Sequence, residues 1–356
     1  MMTLAQAVYT RVMRPLLFRV DPEMAHRITL GLLRAVRLGR ASEDPPQLAT
    51  KVFGVEFSNP VGLAAGLDKD AAAPRAWRSL GFGFVELGTV TPLPQPGNAR
   101  PRIFRLPGHR ALINRLGFPS AGMAAFARRL ERYRAGRGAM RIAVNFGPNK
   151  ETPPARVADD YASLMRRLGG LADFVVVNVS SPNTAGLRSW QAPERLREII
   201  GAMRGAVAEG AQCPPLLVKV APDLDREQLA AVCEVAAALE LAGIVACNTT
   251  IAHEQLGVES SIDGGLSGRP LLRRAREVIR RAYELTGGRL AVIGVGGIAS
   301  ADDAYAHIRA GASLVELYTG LIYEGPALAG EIKNGLVRLL KRDGFRSISE
   351  AVGSAD

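Results

Sequence analysis

The run Phe174-Val175-Val176-Val177-Asn178-Val179-Ser180 decides the fold. Its apolar residues are continuous rather than alternating, which marks a strand buried on both faces, and such strands belong to parallel sheets covered by helices. Asn178 and Ser180 close it with polar groups. Seven further runs have the same character: Val61–Gly66, Phe84–Val90, Arg141–Gly147, Leu216–Pro222, Gly243–Thr249, Leu290–Gly297 and Leu314–Gly320. Helical periodicity fills most of the gaps, as in Ala121–Tyr133, Ala158–Leu168, Pro193–Ala208 and Arg226–Leu239. Eight strands alternating with helices predict an α/β protein built on a closed (β/α)8 TIM barrel. An open doubly wound sheet is the weaker reading, because the count is eight and polar residues gather after every strand.

A chain of 356 residues suits one such barrel with a small appendage. The expected divisions are 1–45 for an N-terminal helical extension, 46–340 for the barrel and 341–356 for a charged tail. Hydrophobic residues make up 47% and charged residues 22%, enough for a large core and against a disordered chain. Lys and Arg number 45 against 34 Asp and Glu, and the net charge of +11 asks for an anionic partner: nucleic acid, phospholipid or a small acid. Cys213, Cys233 and Cys247 show no paired spacing, which argues against disulfides, zinc and iron–sulfur clusters. No run approaches the roughly 20 apolar residues that cross a bilayer.

The extension reads as two amphipathic helices. In the first, Leu4, Val8, Val12 and Leu16, with Ala5, Tyr9, Met13 and Leu17 beside them, form an apolar stripe flanked by Arg11 and Arg14. Asp21 is placed to cap the second, Pro22 fits its first position, and Met24, Ile28, Leu32 and Ala35 share one face. Charge here is lopsided, with Arg11, Arg14, Arg19, Arg27, Arg34, Arg37 and Arg40 against Asp21 and Glu23. Two roles fit this pattern equally: capping the barrel, or lying in an anionic membrane surface. A removable presequence fits less well, because the segment runs straight into the second helix.

A barrel of this kind keeps its active site at the C-terminal ends of the strands. Those ends gather Lys69, Thr89, Asn145, Asn178, Asn183, Lys219, Asn248, Thr249, Tyr318 and Thr319. A lone Asn there is usually a turn residue. Four converging with two lysines suggest more: amides match a flat ligand with alternating N–H and C=O groups, and ammonium groups match a carboxylate or a reduced flavin. Gly294, Gly296 and Gly297 end the seventh run, where loops commonly hold phosphate, although the glycines alone are a weak signal. His109, His253 and His307 fall in loops or on an outer helix and read as surface residues. No metal-spaced cluster or Ser-His-Asp order is visible, so hydrolysis is disfavoured and cofactor redox chemistry gains. The long connections 91–140 and 250–289 are expected to be functional.

Five segments resemble the class 2, quinone-dependent dihydroorotate dehydrogenases: Asn59-Pro60-Val61-Gly62-Leu63-Ala64-Ala65-Gly66-Leu67-Asp68-Lys69, Gly88-Thr89-Val90-Thr91-Pro92, Asn114-Arg115-Leu116-Gly117-Phe118, Asn178-Val179-Ser180-Ser181-Pro182-Asn183-Thr184 and Gly264–Pro270. The resemblance implies oxidation of dihydroorotate to orotate in pyrimidine biosynthesis, with FMN in the barrel mouth. It places FMN against Ala65, Gly66, Leu67, Asp68, Lys69, Thr89, Asn145, Asn178, Lys219, Cys247, Gly268, Gly297, Tyr318 and Thr319. It places the substrate against Lys69, Asn114, Arg115, Leu116, Gly117, Phe118, Asn178, Asn183, Asn248 and Thr249. Ser181 stands where soluble relatives have a cysteine base, and would take the C5 proton while C6 gives up hydride; Thr184 and a water near Phe118 are the expected relay. Cys247 departs from the Thr common in this family.

The resemblance further implies a membrane quinone as acceptor, reached through the N-terminal helices past His26 and Arg105. The expected location is peripheral, on the cytoplasmic face of the cell membrane and held by an anionic surface, with no metal, nucleic acid or iron–sulfur partner subunit. The rivals are a soluble dihydroorotate dehydrogenase with another acceptor and an RNA-acting flavoprotein such as a tRNA dihydrouridine synthase. Ser181 and the helices oppose the first, and the lack of a basic domain with interleaved aromatics opposes the second.

Overall fold

The eight apolar runs pair in parallel, each with the next and the last with the first. A computed structural model of the chain describes residues 4–35, 39, 43–136, 140–184, 186–254, 256 and 262–355. Its barrel strands are β1 (Val61–Leu63), β2 (Phe84–Val90), β3 (Arg141–Phe146), β4 (Phe174–Asn178), β5 (Leu216–Val220), β6 (Gly243–Ala246), β7 (Ala291–Val295) and β8 (Leu314–Leu317). Most stop short of the end of their apolar run, because the last residues leave the ladder to shape the mouth. The alternation hidden in the runs follows the two-residue period of a strand. Val85, Leu87, Val175 and Val177 pack under the outer helices, whereas Phe84, Ala143, Phe174, Val176, Leu217, Ile293 and Leu314 fill the interior.

The bottom of the barrel is closed by aromatic packing. A hairpin, Thr50–Val52 with Val55–Phe57, brings Phe57 within 5.5 Å of Phe84 and Phe53 within 5.1 Å of Phe174, measured between ring centres. Only the opposite end remains for chemistry. Above it the two long connections combine into one antiparallel sheet of Ile103–Leu106, Ala111–Asn114 and Gly265–Gly268. Sequence patterning did not join these segments, since they lie some 150 residues apart in the chain.

The extension is helical from Leu4–Val8 through a π-helical turn at Tyr9–Met13 to Arg14–Phe18, and again over Pro22–Ala35. Asp21 caps the second helix, its Oδ1 accepting from Met24 N at 2.9 Å. The extension does lie against the barrel, but most of its apolar stripe is not used there. Val8, Val12, Met13 and Leu16 are exposed, as are Met24, Ile28 and Leu32. One edge of the stripe does the docking: Tyr9 is buried and its hydroxyl donates to Ile322 O at 2.7 Å, while the flanking Arg14 donates to Tyr323 O at 2.8 Å. Arg37 and Arg40 lie outside the described residues. At the other terminus the last helix, Leu328–Asp343, runs through position 341, and Ile348 and Ala351 beyond it are buried. None of the described helices is long and apolar enough to cross a membrane.

Candidate active site

Above the inward aromatic layer the barrel turns polar. Moving two residues along β2 from Phe84 leads to Glu86, and two along β5 from Leu217 leads to Lys219, both buried. Lys219 Nζ lies 3.2 Å from Glu86 Oε2 and 3.9 Å from Glu316 Oε2 on β8. Burial alone would depress the Lys219 pKa, but the two carboxylates outweigh it and raise it, so the lysine is firmly a cation. Glu316 is raised too, which favours its neutral form: burial and the Glu86 charge lift it well above the carboxylate range, and neither of its oxygens has a hydrogen-bond donor. Neither glutamate was picked out from sequence. The signal was present, since Val85-Glu86-Leu87 and Val315-Glu316-Leu317 each put an acid inside a strand buried on both faces.

The next layer is a chain of amides. Asn145 Oδ1 accepts from Thr89 Oγ1 at 2.6 Å and from Asn178 Nδ2 at 3.1 Å, and its Nδ2 donates to Glu86. Asn248 Nδ2 donates to Ser180 Oγ at 3.0 Å. Across the mouth Asn183 Nδ2 donates to Asn114 Oδ1 at 3.1 Å, which ties the loop after β4 to the covering sheet. Ser181 is buried beside them and its Oγ accepts from Asn183 N at 3.2 Å. These groups surround a cavity with about 1000 Å³ of empty space, open mouth included. Its wall includes Ala65, Gly66, Lys69, Thr89, Asn178, Lys219, Cys247, Gly268, Gly297, Tyr318 and Thr319, and, on the other side, Asn114, Leu116, Gly117, Phe118, Ser181, Asn183, Asn248 and Thr249.

Several expected residues stand elsewhere. The Asp68 carboxylate accepts from Ala72 N, Ala73 N and Trp77 Nε1 and so is committed to the turn after β1, while the Leu67 side chain packs in the core. Asn145 sits behind the wall and acts on it through Thr89 and Asn178. Arg115 turns outward to Pro101 O and the face of Phe104, and Thr184 is not part of the wall. His307 is no surface residue: it is fully buried, its Nε2 donates to Gly296 O at 3.0 Å, and burial lowers its pKa to about 4. Its helix packs behind the Gly-rich end of β7, a contact that the polarity of His alone does not reveal.

His26 and Arg105 lie apart from this cavity, at the seam between extension and barrel. His26 Nε2 donates to Leu67 O at 2.6 Å, and burial lowers the ring to a pKa of about 4. Arg105 donates to Val20 O at 2.8 Å and lies over the ring of Phe18 at 4.7 Å. Among the described residues, no cluster of His, Cys, Asp or Glu is arranged to hold a metal ion.

A polar, lysine-floored mouth on a closed barrel fits several families, and comparison separates them. The family model described as dihydroorotate dehydrogenase matches residues 47–340. The chain belongs to the dihydroorotate dehydrogenase family. A "Dihydroorotate dehydrogenase (quinone)" of Parvibaculum lavamentivorans is 50% identical over 96% of this chain and 97% of its own length. One from Mycobacterium tuberculosis is 49% identical over 97% of this chain and 98% of its own. The crystal structure of the Eimeria tenella dihydroorotate dehydrogenase in complex with ferulenol superposes with a TM-score of 0.89 at 40% identity, covering 94% of this chain and 95% of that one. The family model begins past the N-terminal extension, at residue 47, whereas the two relatives cover 96% and 97% of the whole chain. Neither the soluble nor the RNA-acting alternative corresponds to them.

Proposed function

We propose that this dihydroorotate dehydrogenase oxidises dihydroorotate to orotate at the barrel mouth, with FMN as its redox group and a membrane quinone as final acceptor. The observation that carries this reading is the joining of Lys69, Asn114, Asn178, Ser181, Asn183, Lys219 and Asn248 around one cavity. The residues present suit FMN. Gly268, Gly296 and Gly297 line one end of the cavity, all with positive φ, where backbone without side chains leaves room for a phosphate to approach. Lys219 supplies a buried cation for a flavin ring edge. Held there, FMN would supply the hydride acceptance and electron transfer that side chains cannot.

The remaining work falls to side chains. Lys69 donates to Gly66 O at 2.6 Å, and burial lowers its pKa to about 8 despite the nearby Asp70 carboxylate; a substrate carboxylate bound against it favours the charged form. The amides of Asn114, Asn178, Asn183 and Asn248 match the imide edge of the substrate ring. Ser181, screened from bulk water, takes the C5 proton and passes it on towards solvent. The quinone approaches between the N-terminal helices, past His26 and Arg105. Those helices carry seven of the ten exposed large hydrophobic side chains among the described residues, next to an excess of Arg, which suits an anionic membrane surface on the cytoplasmic side.

The purified protein should be yellow, should bleach on adding dihydroorotate and should recover with a quinone. Ser181→Ala should keep the colour and bleach roughly 10²–10⁴-fold more slowly. Full-speed bleaching would remove Ser181 from its role, and a protein that neither retains FMN nor responds to dihydroorotate would overturn the whole reading.

A further inference from the structure

Glu23 belongs to the extension, yet it is bonded into the barrel. Its Oε1 accepts from Arg100 Nη2 at 2.8 Å and from Arg102 Nη2 at 2.7 Å, and its Oε2 accepts from Arg102 Nε at 3.0 Å. The Arg102 contact is two-pronged and the arginine is buried, the arrangement in which such a pair is most directional. The remaining arm of Arg102 is not idle. Its Nη1 donates to Pro96 O at 2.6 Å and to Asn98 O at 2.8 Å, fixing the loop between them.

Asn98 continues the path to the site. Its backbone N donates to Leu116 O at 2.9 Å, and its side-chain Nδ2 donates to both Arg115 O and Asn183 O at 3.1 Å. One amide thus holds the two wall segments together: Asn114–Phe118 from the covering sheet and Ser181–Thr184 after β4. The junction has no slack. A Cβ on Gly97 would stand 2.4 Å from Leu116 O and 2.8 Å from Arg102 Nη1, and one on Gly117 would stand 2.6 Å from the Asn98 amide. Rigidly packed contacts of this kind transmit displacement rather than absorb it.

We propose that Arg102 and Asn98 are positioning residues that set the spacing of the two substrate-binding segments, and that Glu23 makes this spacing depend on how the N-terminal extension is seated. This rests on the reading that those segments hold dihydroorotate and orotate. The half of the site that meets the substrate and the part of the chain that meets the acceptor then share one connected frame of charged and polar side chains. Neither Arg102 nor Asn98 touches the reacting atoms; both act through Asn183 and the backbone of Leu116.

The test is orotate titrated calorimetrically into the purified holoenzyme, together with steady-state kinetics. Glu23→Gln weakens the two-pronged charge pair, and Asn98→Asp sets an acceptor against two carbonyls. Each should raise the orotate dissociation constant and the dihydroorotate KM on the order of tenfold, with kcat and flavin content changed far less. A double variant should be little worse than the weaker-binding single, because both interrupt one path. Orotate affinity within about twofold of wild type in Glu23→Gln, or penalties that multiply in the double variant, would overturn the proposal. Should Asn98→Asp fail to fold, Arg102→Lys, which cannot make the planar fork, takes its place in the same cycle. Wild-type enzyme that binds no orotate at all would instead indict the assignment of function.

Discussion

Glu316 carries an electrostatic conflict at the scale of a single residue. It is buried, faces a second carboxylate on Glu86, and shares with it one ammonium, that of Lys219. Two negative charges against one positive in a low-dielectric interior favour keeping a proton on the carboxyl with the poorer partners, and Glu316 has the longer contact and no donor. The sign of the linkage follows. Its folded pKa lies well above the ordinary 4.5, so its contribution to stability is fully present below about pH 4.5 and is lost as pH rises towards the folded value. Glu316→Gln keeps the shape and abolishes the titration. In urea unfolding the variant should match wild type at about pH 4 and exceed it by about 1 kcal/mol or more at about pH 8. Equal pH slopes for the two proteins would mean that Glu316 is ionised in the folded state. Glu23 is the opposite case: hydrogen bonds from Arg102, against a smaller opposing effect of burial, lower it to about 2, so its pairing persists throughout the neutral range.

Among the elements, the two N-terminal helices divide their faces. Tyr9, Arg14, Ala25 and Glu23 attach them to the barrel, and Val8, Val12, Leu16, Ile28 and Leu32 are left in solvent. An exposed apolar patch rimmed by arginine is costly in water and marks an interaction surface. Leu16 and Ile28 are 57% and 42% exposed, so changing both to Ser removes little from the folded core. If each inserts into lipid at about 1.5–3 kcal/mol, the double variant should lose at least tenfold in binding to anionic vesicles, read by sedimentation. Its melting temperature and its bleaching by dihydroorotate should stay close to wild type. Undiminished vesicle binding would place the membrane contact elsewhere.

Across the whole molecule, the barrel separates stability from chemistry along its axis. Phe57, Phe84 and Phe174 close one end, and the Glu86, Lys219 and Asn145 layer opens the other. Phe174→Ala should cost about 3–5 kcal/mol in urea unfolding, because three neighbouring rings cannot collapse together into the space. A loss under about 1 kcal/mol would show that the hairpin plug moves in to fill it. What the sequence determined alone is the set of strands, the closed barrel, the capped second helix and the convergence of Asn and Lys at strand ends, because local apolar runs and turn residues report their own environment. Only the tertiary structure decided that Asp68 serves its own turn, that Arg115 faces away, that His307 is buried and that Glu86 and Glu316 share Lys219. It also decided which face of the first helix meets the barrel. Each of these depends on a partner far away in the chain, and a residue's type does not say which partner folding will bring to it.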